Sequence, residues 1–245
     1  MQDRYAGDVG DYGKIGMLKC LQSHGFTIGV NWYRVPALEA EKKADGTFKH
    51  NDGRHLIPEK IRECDPELAE KLTKIANGKR TVAALQKAAS IPNAVYYDDY
   101  LTVDRRSEWF DRAMKLFKGV NLVFMDPDNG LLVKSVGKGS ARSVKYALYE
   151  EVKEIIDSGK SVLVYNHRSR KPEKEYFEDI ERKLAEIVDI DRNTIQEITF
   201  SKGTTRDYFA IPACEKDYEI FRAAFTYMDE SIWGKLGVCR YREQR

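Results

Sequence analysis

The stretch VNLVFMDPDNG, residues 120–130, decides the fold class that this chain is expected to adopt. Residues 120–125 form a short, predominantly apolar run, and such a run is typical of a strand that is buried on both faces of a parallel sheet. The polar segment 126–129 then falls at the carboxyl end of that strand. In open α/β sheets this is the edge at which ligands bind.

Helical and strand patterns alternate on both sides of this stretch. Helices are predicted at residues 11–22, 58–77, 79–89, 106–117, 144–157 and 173–188, and strands at 27–35, 94–97, 161–165, 195–200 and 207–211. Asp11 is the expected N-cap of the first helix. The alternation predicts an α/β fold of three layers, with a mostly parallel doubly wound sheet and a C-terminal antiparallel hairpin around residues 201–206. The strands at 120–125 and 161–165 should be parallel neighbours.

Length and composition favour one cytoplasmic domain. The 245 residues, 42% of them hydrophobic, predict a single α/β domain over 1–245 with a loop and helical insertion at about 37–90. No apolar run reaches the ~18 residues of a membrane span, and the N-terminus does not look like a signal peptide. The four cysteines show no CxxC spacing, which indicates reduced, mostly buried thiols.

Polar side chains cluster after the predicted strands and suggest a site. Two carboxylates one residue apart should repel each other, which raises one pKa and suits a general base. An asparagine beside them offers the donor and acceptor that read the edge of a base. We expect the catalytic residues to be Asp126, Asp128 and His167, and the substrate-binding residues to be Asn129, Asn166, Asp11, Lys14, Tyr97 and His55. The alternative is that 126–129 is only a β-turn.

Cations follow the same strand ends, although the formal net charge is only +2. Gathered at one sheet edge, they predict contacts with nucleic-acid phosphates, and the alternative is ordinary solvated loops. The residues expected to bind phosphate are Lys138, Arg142, Arg168, Arg170, Lys202 and Arg206. Residues 7–14, GDVGDYGK, also resemble an anion-binding glycine loop at a helix start. With four scattered histidines and no HxxxH spacing, no metal site is expected.

Three segments together resemble a bacterial family that includes phage-defence DNA glycosylases. They are the glycine-acidic-lysine pattern of residues 7–14, the segment NDGRH at 51–55 and the segment DPDNG at 126–130. The chain is also similar in part to uracil-DNA-glycosylase-like enzymes. These place an Asp-Pro at a strand end, where the aspartate activates water, and add a base-reading asparagine and a histidine from a later loop. Asp126, Asn129 and His167 look like that set.

A second partial resemblance is to base-amino methyltransferases of the Asp-Pro-Pro-Tyr class, which carry an acidic-proline motif at the same kind of strand end. The chain departs from them because Asp128-Asn129 replaces Pro-Tyr and no glycine-rich S-adenosylmethionine loop follows residues 27–35. The resemblances imply a hydrolytic DNA glycosylase that excises a flipped base without a cofactor, with DNA favoured over RNA as partner. The alternatives are an adenine-N6 or cytosine-N4 methyltransferase-like protein and a non-catalytic nucleic-acid-binding module.

Overall fold

A seven-stranded sheet, in the order β2-β1-β3-β6-β8-β7-β9, forms the centre of the computed structural model, which describes residues 1–36 and 55–242. A separate parallel pair, β4 and β5, lies beside it. The strands are β1 (Ile28–Asn31), β2 (Val95–Tyr97), β3 (Leu122–Met125), β4 (Gly130–Leu131), β5 (Tyr146–Ala147), β6 (Ser161–His167), β7 (Gln196–Phe200), β8 (Arg206–Ile211) and β9 (Cys239–Arg242).

Helices cover both faces of the sheet. They are α1 (Val9–Ser23), α2 (Pro66–Asn77), α3 (Val82–Ala89), α4 (Arg106–Leu116), α5 (Tyr149–Asp157), α6 (Glu173–Val188), α7 (Glu215–Glu230) and α8 (Ile232–Lys235). Buried residues of α1, α2, α3 and α7 form one apolar cluster with the sheet, and those of α4, α5 and α6 form the other. The three-layer α/β prediction is therefore confirmed.

Strand β3 shows why a central strand is apolar along its whole length. Phe124 belongs to the first cluster, whereas its neighbours Val123 and Met125 belong to the second, because successive side chains point to opposite faces. All three are fully buried, and removing each from water stabilises the fold by roughly 1.5–3 kcal/mol.

Four strands, β2, β1, β3 and β6, run parallel, and the predicted pairing of β3 with β6 is confirmed by the register Leu122↔Ser161 to Met125↔Val164. The antiparallel hairpin is also confirmed, but β8 inserts between β6 and β7. Strand β9 extends it with a third antiparallel pairing that was not predicted. Strand β2 is added on one side of β1, and β3 is added on the other side. The order in which the chain adds strands to the sheet therefore reverses between β1 and β3, although the two strands are parallel.

Several predicted boundaries were wrong. The N-cap of α1 is Asp8, whose side chain accepts a hydrogen bond from the Asp11 backbone N–H, and the helix begins two residues earlier than predicted. Strand β1 ends at Asn31, and Tyr33 adopts a left-handed φ of 45°. The helix predicted at 144–157 begins at Tyr149, because residues 141–147 form a 3-10 turn and then β5.

Helix α1 lies unusually close to the β7–β8 hairpin and to α8 because two of its glycines face the hairpin and a third faces α8. A Cβ at Gly10 would lie 2.5 Å from the Arg206 guanidinium, one at Gly13 would lie 2.4 Å from the Phe200 ring, and Gly16 faces Trp233 in the same way. A side chain at Gly13 or Gly16 would overlap an aromatic ring and push the helix away. The close approach brings the N-terminus of α1 over the carboxyl ends of β3 and β6.

The four cysteines are free thiols, as predicted, but Cys20 and Cys239 are buried while Cys64 is half-buried and Cys214 is exposed. Within residues 1–36 and 55–242, no helix has the length and apolar character that crossing a membrane requires. The single-domain organisation stays a prediction. Of its insertion, residues 37–54 lie outside the described residues, and residues 55–90 contain a 3-10 turn (Glu59–Cys64) followed by α2 and α3.

Candidate functional site

A cleft of about 370 Å³ lies at the carboxyl ends of β3 and β6, beneath the N-terminus of α1 and beside the β7–β8 turn. We call it the central cleft. It brings together residues from six separate segments of the chain and contains eight of the predicted site residues. Its lining is Met1, Tyr5, Asp8, Gly10, Asp11, Lys14, His55, Asp126, Pro127, Asp128, Asn129, Lys145, Tyr165, His167, Thr204 and Arg206.

Asp126 is the first residue after β3 and is only 4% exposed. Its backbone N–H donates to the Asn31 carbonyl at 2.9 Å, which extends the β1–β3 ladder by one bond and fixes the direction of the side chain. Oδ2 accepts from Lys14 Nζ at 2.8 Å. No described residue donates to Oδ1, so this oxygen is available to a ligand in the cleft.

Lys14 joins two carboxylates, since its Nζ also donates to Asp11 at 2.9 Å. Burial alone would lower the pKa of the ammonium, but Asp11 and Asp126 together raise this pKa well above its usual value. Burial also raises the pKa of Asp126, and Lys14 offsets this only in part. Lys14 therefore stays protonated, and Asp126 is a more basic carboxylate than an exposed aspartate.

Asp128 has a different environment, although its side chain is equally buried at 5% exposure. The Met1 ammonium lies 2.9 Å from Oδ1, Gln2 donates to Oδ2 at 2.9 Å, and Lys145 lies 3.8 Å away. Burial alone would raise the pKa of Asp128, but these partners lower it below its usual value. Both oxygens are thus held by the protein.

We expected repulsion between Asp126 and Asp128 to raise the pKa of one of them, and this explanation was wrong. The two pKa values do move apart, but burial raises the pKa of Asp126, while the Met1 ammonium dominates the lowering at Asp128. Each carboxylate has its own cation, so the pair does not share a proton in the way that a catalytic dyad does.

The N-terminus of α1 is not an open anion site, so that interpretation of residues 7–14 was also wrong. The Gly7 N–H donates to Asp11, the Asp11 N–H to Asp8, and the Val9 N–H to the His55 carbonyl. The helix start therefore already holds two carboxylates, which complement its dipole. Burial and repulsion by Asp11 raise the pKa of Asp8 to about 6, although Arg206 lies 3.3 Å away.

The same cleft is lined by groups suited to holding a base. Asn129 is exposed, its backbone N–H donates to the Lys145 carbonyl at 2.9 Å, and its side-chain amide makes no hydrogen bond within the described chain. His167 ends β6, with its Nδ1 3.4 Å from the Tyr165 hydroxyl. Burial and the nearby Arg206 lower the pKa of His167, so its ring is neutral at neutral pH. The exposed His55 lines the same cleft.

Two predicted substrate-binding residues lie outside the central cleft. The Asn166 amide is used internally, since its Oδ1 accepts from the Leu131 N–H at 2.7 Å and its Nδ2 donates to the Tyr176 hydroxyl at 2.7 Å. Tyr97 lies on the opposite face of the sheet, where its hydroxyl donates to the Trp109 carbonyl. Both side chains stabilise the fold around the cleft without lining it.

Of the six cations expected to bind phosphate, Arg206 lines the cleft, and it is held by Asp8 and by two backbone carbonyls of the β7–β8 turn. Arg168 is paired with Asp207 at 2.6 Å and lies over the Phe177 ring. Lys138 is paired with Glu150. The other three lie in turns and loops outside the cleft, with Arg142 and Arg170 exposed and Lys202 half-buried.

Several lining residues were not predicted as site residues. Lys145 and Met1 reach Asp128 only through tertiary contacts, and nothing in their local sequence indicates this. Asp8 could have been found, because an aspartate before a glycine-containing helix start is a common N-cap. Tyr165 had a signal as well, since it precedes the polar end of a buried strand.

In the described residues, no three His, Cys, Asp or Glu side chains are grouped as metal ligands. A cofactor lying across the carboxyl end of β1 would compete with the buried side chains of Trp32 and Tyr33 and with the Met1 ammonium, which donates to the Tyr33 carbonyl at 2.8 Å.

Comparison with known proteins assigns this chain to no family. A scan of the chain against protein-family models gives no match, and a search of the curated proteins gives none.

Proposed function

We propose that the protein is a hydrolase that cleaves the N-glycosidic bond of a base flipped out of DNA into the central cleft. The observation that carries the proposal is the placement of Asp126. One of its oxygens is anchored on Lys14, while the other is open to the cleft that the unused amide of Asn129 also lines.

The charge of the cleft suits a neutral base better than a phosphate. Its lining holds four carboxylates and four cationic groups, and each carboxylate has a cation within about 4 Å. A base buried here finds donors and acceptors without facing an excess of either charge. The volume of about 370 Å³ is within the range of pockets for small ligands.

In the proposed reaction, Asp126 Oδ1 accepts a proton from a water molecule as the water oxygen bonds to C1′ of the sugar. The C1′–N bond breaks, its electron pair leaves with the base nitrogen, and that nitrogen takes a proton from solvent while Asp126 releases the proton it accepted to solvent. The negative charge of Asp126 also stabilises the positive charge that develops on the sugar. The raised pKa of Asp126 makes it a better proton acceptor than an ordinary aspartate.

Asn129 and His167 are assigned to the leaving base. The Asn129 amide can donate and accept one hydrogen bond each along a base edge, which discriminates between bases by about 1–3 kcal/mol. The neutral His167 ring has one N–H, which can donate to the base as negative charge develops on it. Asp128 orients the segment, because both of its oxygens are occupied.

The test is a base-release assay on mixed-sequence DNA, single-stranded and duplex, with abasic sites detected by alkaline cleavage. Asp126→Asn should lower the yield of abasic sites by about 10²–10⁴-fold, while Asp157→Asn, at an exposed carboxylate that ends α5, should retain full activity. Free nucleosides in parallel show whether a strand is required. Methyl transfer from labelled S-adenosylmethionine in place of base release would instead support the methyltransferase alternative. Binding without either reaction would support a non-catalytic module.

A further inference from the structure

A second cavity, of about 420 Å³, adjoins the central cleft. We call it the side cavity. It lies between the segment 131–135, which continues β4, and residues 176–183 of α6. Asn129 and His167 line both cavities, so they form a wall that the two share. The side cavity is lined by Asn129, Leu131, Leu132, Val133, Lys134, Ser135, Tyr149, Asn166, His167, Ser169, Lys171, Tyr176, Asp179, Ile180, Arg182 and Lys183.

The side cavity differs from the central cleft in polarity and charge. Apolar and aromatic side chains, such as Leu131, Tyr176 and Ile180, form part of its lining and are buried. Four cations line it against one carboxylate, Asp179. An excess of positive charge beside an apolar surface suits a ligand that has both an anionic group and a flat apolar body.

Two of the four cations are available to a ligand. Lys171 and Arg182 are both paired with Asp179. Lys134 and Lys183 make no ion pair with any residue of the described chain, and Lys134 is exposed. A phosphate that reaches these two ammonium groups would not have to displace a protein carboxylate.

We propose that the side cavity binds the nucleotide next to the excised one in a DNA strand, with its base against the apolar lining and its phosphate held by Lys134 and Lys183. Adjacent nucleotides are joined by one phosphodiester, so a nucleotide in the central cleft brings its neighbour to the wall formed by Asn129 and His167. The inference rests on the proposed function, and it makes a strand, rather than a free nucleoside, the substrate.

The test measures binding rather than turnover. The affinity of a fluorescein-labelled, mixed-sequence single-stranded DNA 12-mer is followed by anisotropy over a range of salt concentrations. The double variant Lys134→Ala/Lys183→Ala should bind about tenfold more weakly at 0.1 M salt, and its log–log salt slope should fall by about 1.4, because each single-strand phosphate contact contributes about 0.7. Val133→Glu, which adds a carboxylate at a 43% exposed position of the lining, should weaken binding as well.

The matched control is Lys115→Ala/Lys118→Ala, which removes two exposed ammonium groups just before β3, at the opposite edge of the sheet. It should keep the wild-type slope. An unchanged slope in Lys134→Ala/Lys183→Ala, or an equal loss in the control, would overturn the proposal. The proposed hydrolysis fails separately: if the wild type binds the 12-mer through these lysines but releases no base from any DNA, the side cavity stands and the reaction does not.

Discussion

Exchanging the two aspartates of the 126–129 segment for asparagine, one at a time, should separate catalysis from stability. Asp126→Asn keeps the shape of the side chain but removes the proposed proton acceptor, so base release should fall by about 10²–10⁴-fold. Its effect on folding should be small. Lys14 retains Asp11 at 2.9 Å, so its charge is not left alone, and the loss should stay below the ~3–5 kcal/mol that breaking an isolated buried pair costs.

Asp128→Asn should show the opposite balance. It removes the counter-charge of the Met1 ammonium, which lies 2.9 Å away and is only 5% exposed, and it weakens the longer contact with Lys145 at 3.8 Å. We expect the free energy of unfolding to fall by about 3–5 kcal/mol, the cost of leaving a buried charge unpaired. Base release by the fraction that remains folded should fall by less than it does in Asp126→Asn.

Single-turnover base release and urea unfolding, measured on the same preparations, would check both variants. The pH–rate profile of the wild type adds a third measurement. Because burial raises the pKa of Asp126, the rising limb of the profile should lie above the ordinary aspartate range of about 4. The reasoning is refuted if Asp126→Asn releases base at the wild-type rate, or if Asp128→Asn loses activity without any loss of stability.

Three other perturbations test the surroundings of the site. The pKa of Asp8 is raised to about 6, so the folded state binds this proton more tightly than the unfolded chain does. The free energy of unfolding should therefore fall by on the order of 3 kcal/mol as the pH rises from about 4 to 6. Asp8→Asn, which can still cap α1, should remove this pH dependence in urea unfolding, and an unchanged dependence would contradict us. Arg106 contacts the buried Glu151 carboxylate at 2.7 Å, so Arg106→Met removes the counter-charge of this carboxylate. The free energy of unfolding should fall by about 3–5 kcal/mol in the same assay, whereas a loss under ~1 kcal/mol would show that Glu151 finds another partner. Gly130 has a φ of 96°, and a Cβ there would lie 2.0 Å from Asn166 Oδ1, so Gly130→Ala should lower the midpoint of thermal unfolding and slow base release, and an unaltered midpoint would refute the clash.

Local patterns in the sequence were sufficient for the central part of the fold. Strand β3 and strand β6 were recognised because strands buried on both faces must be apolar throughout, and their parallel pairing followed from the helix between them. The edge strand β9 was missed, since two of its four residues are arginines and its pairing with β7 depends on contacts with a segment about 40 residues away.

The sequence alone determined that Asp126, Asp128, Asn129 and His167 would meet, because the carboxyl ends of neighbouring parallel strands lie at one edge of a sheet. Only the tertiary structure decided which aspartate is available for chemistry. That difference arises from cations that approach from elsewhere in the chain: Lys14 reaches one oxygen of Asp126 from α1, whereas Met1 and Lys145 surround Asp128. A pKa depends on burial and on charges within a few ångströms, and neither quantity is a local property of the sequence.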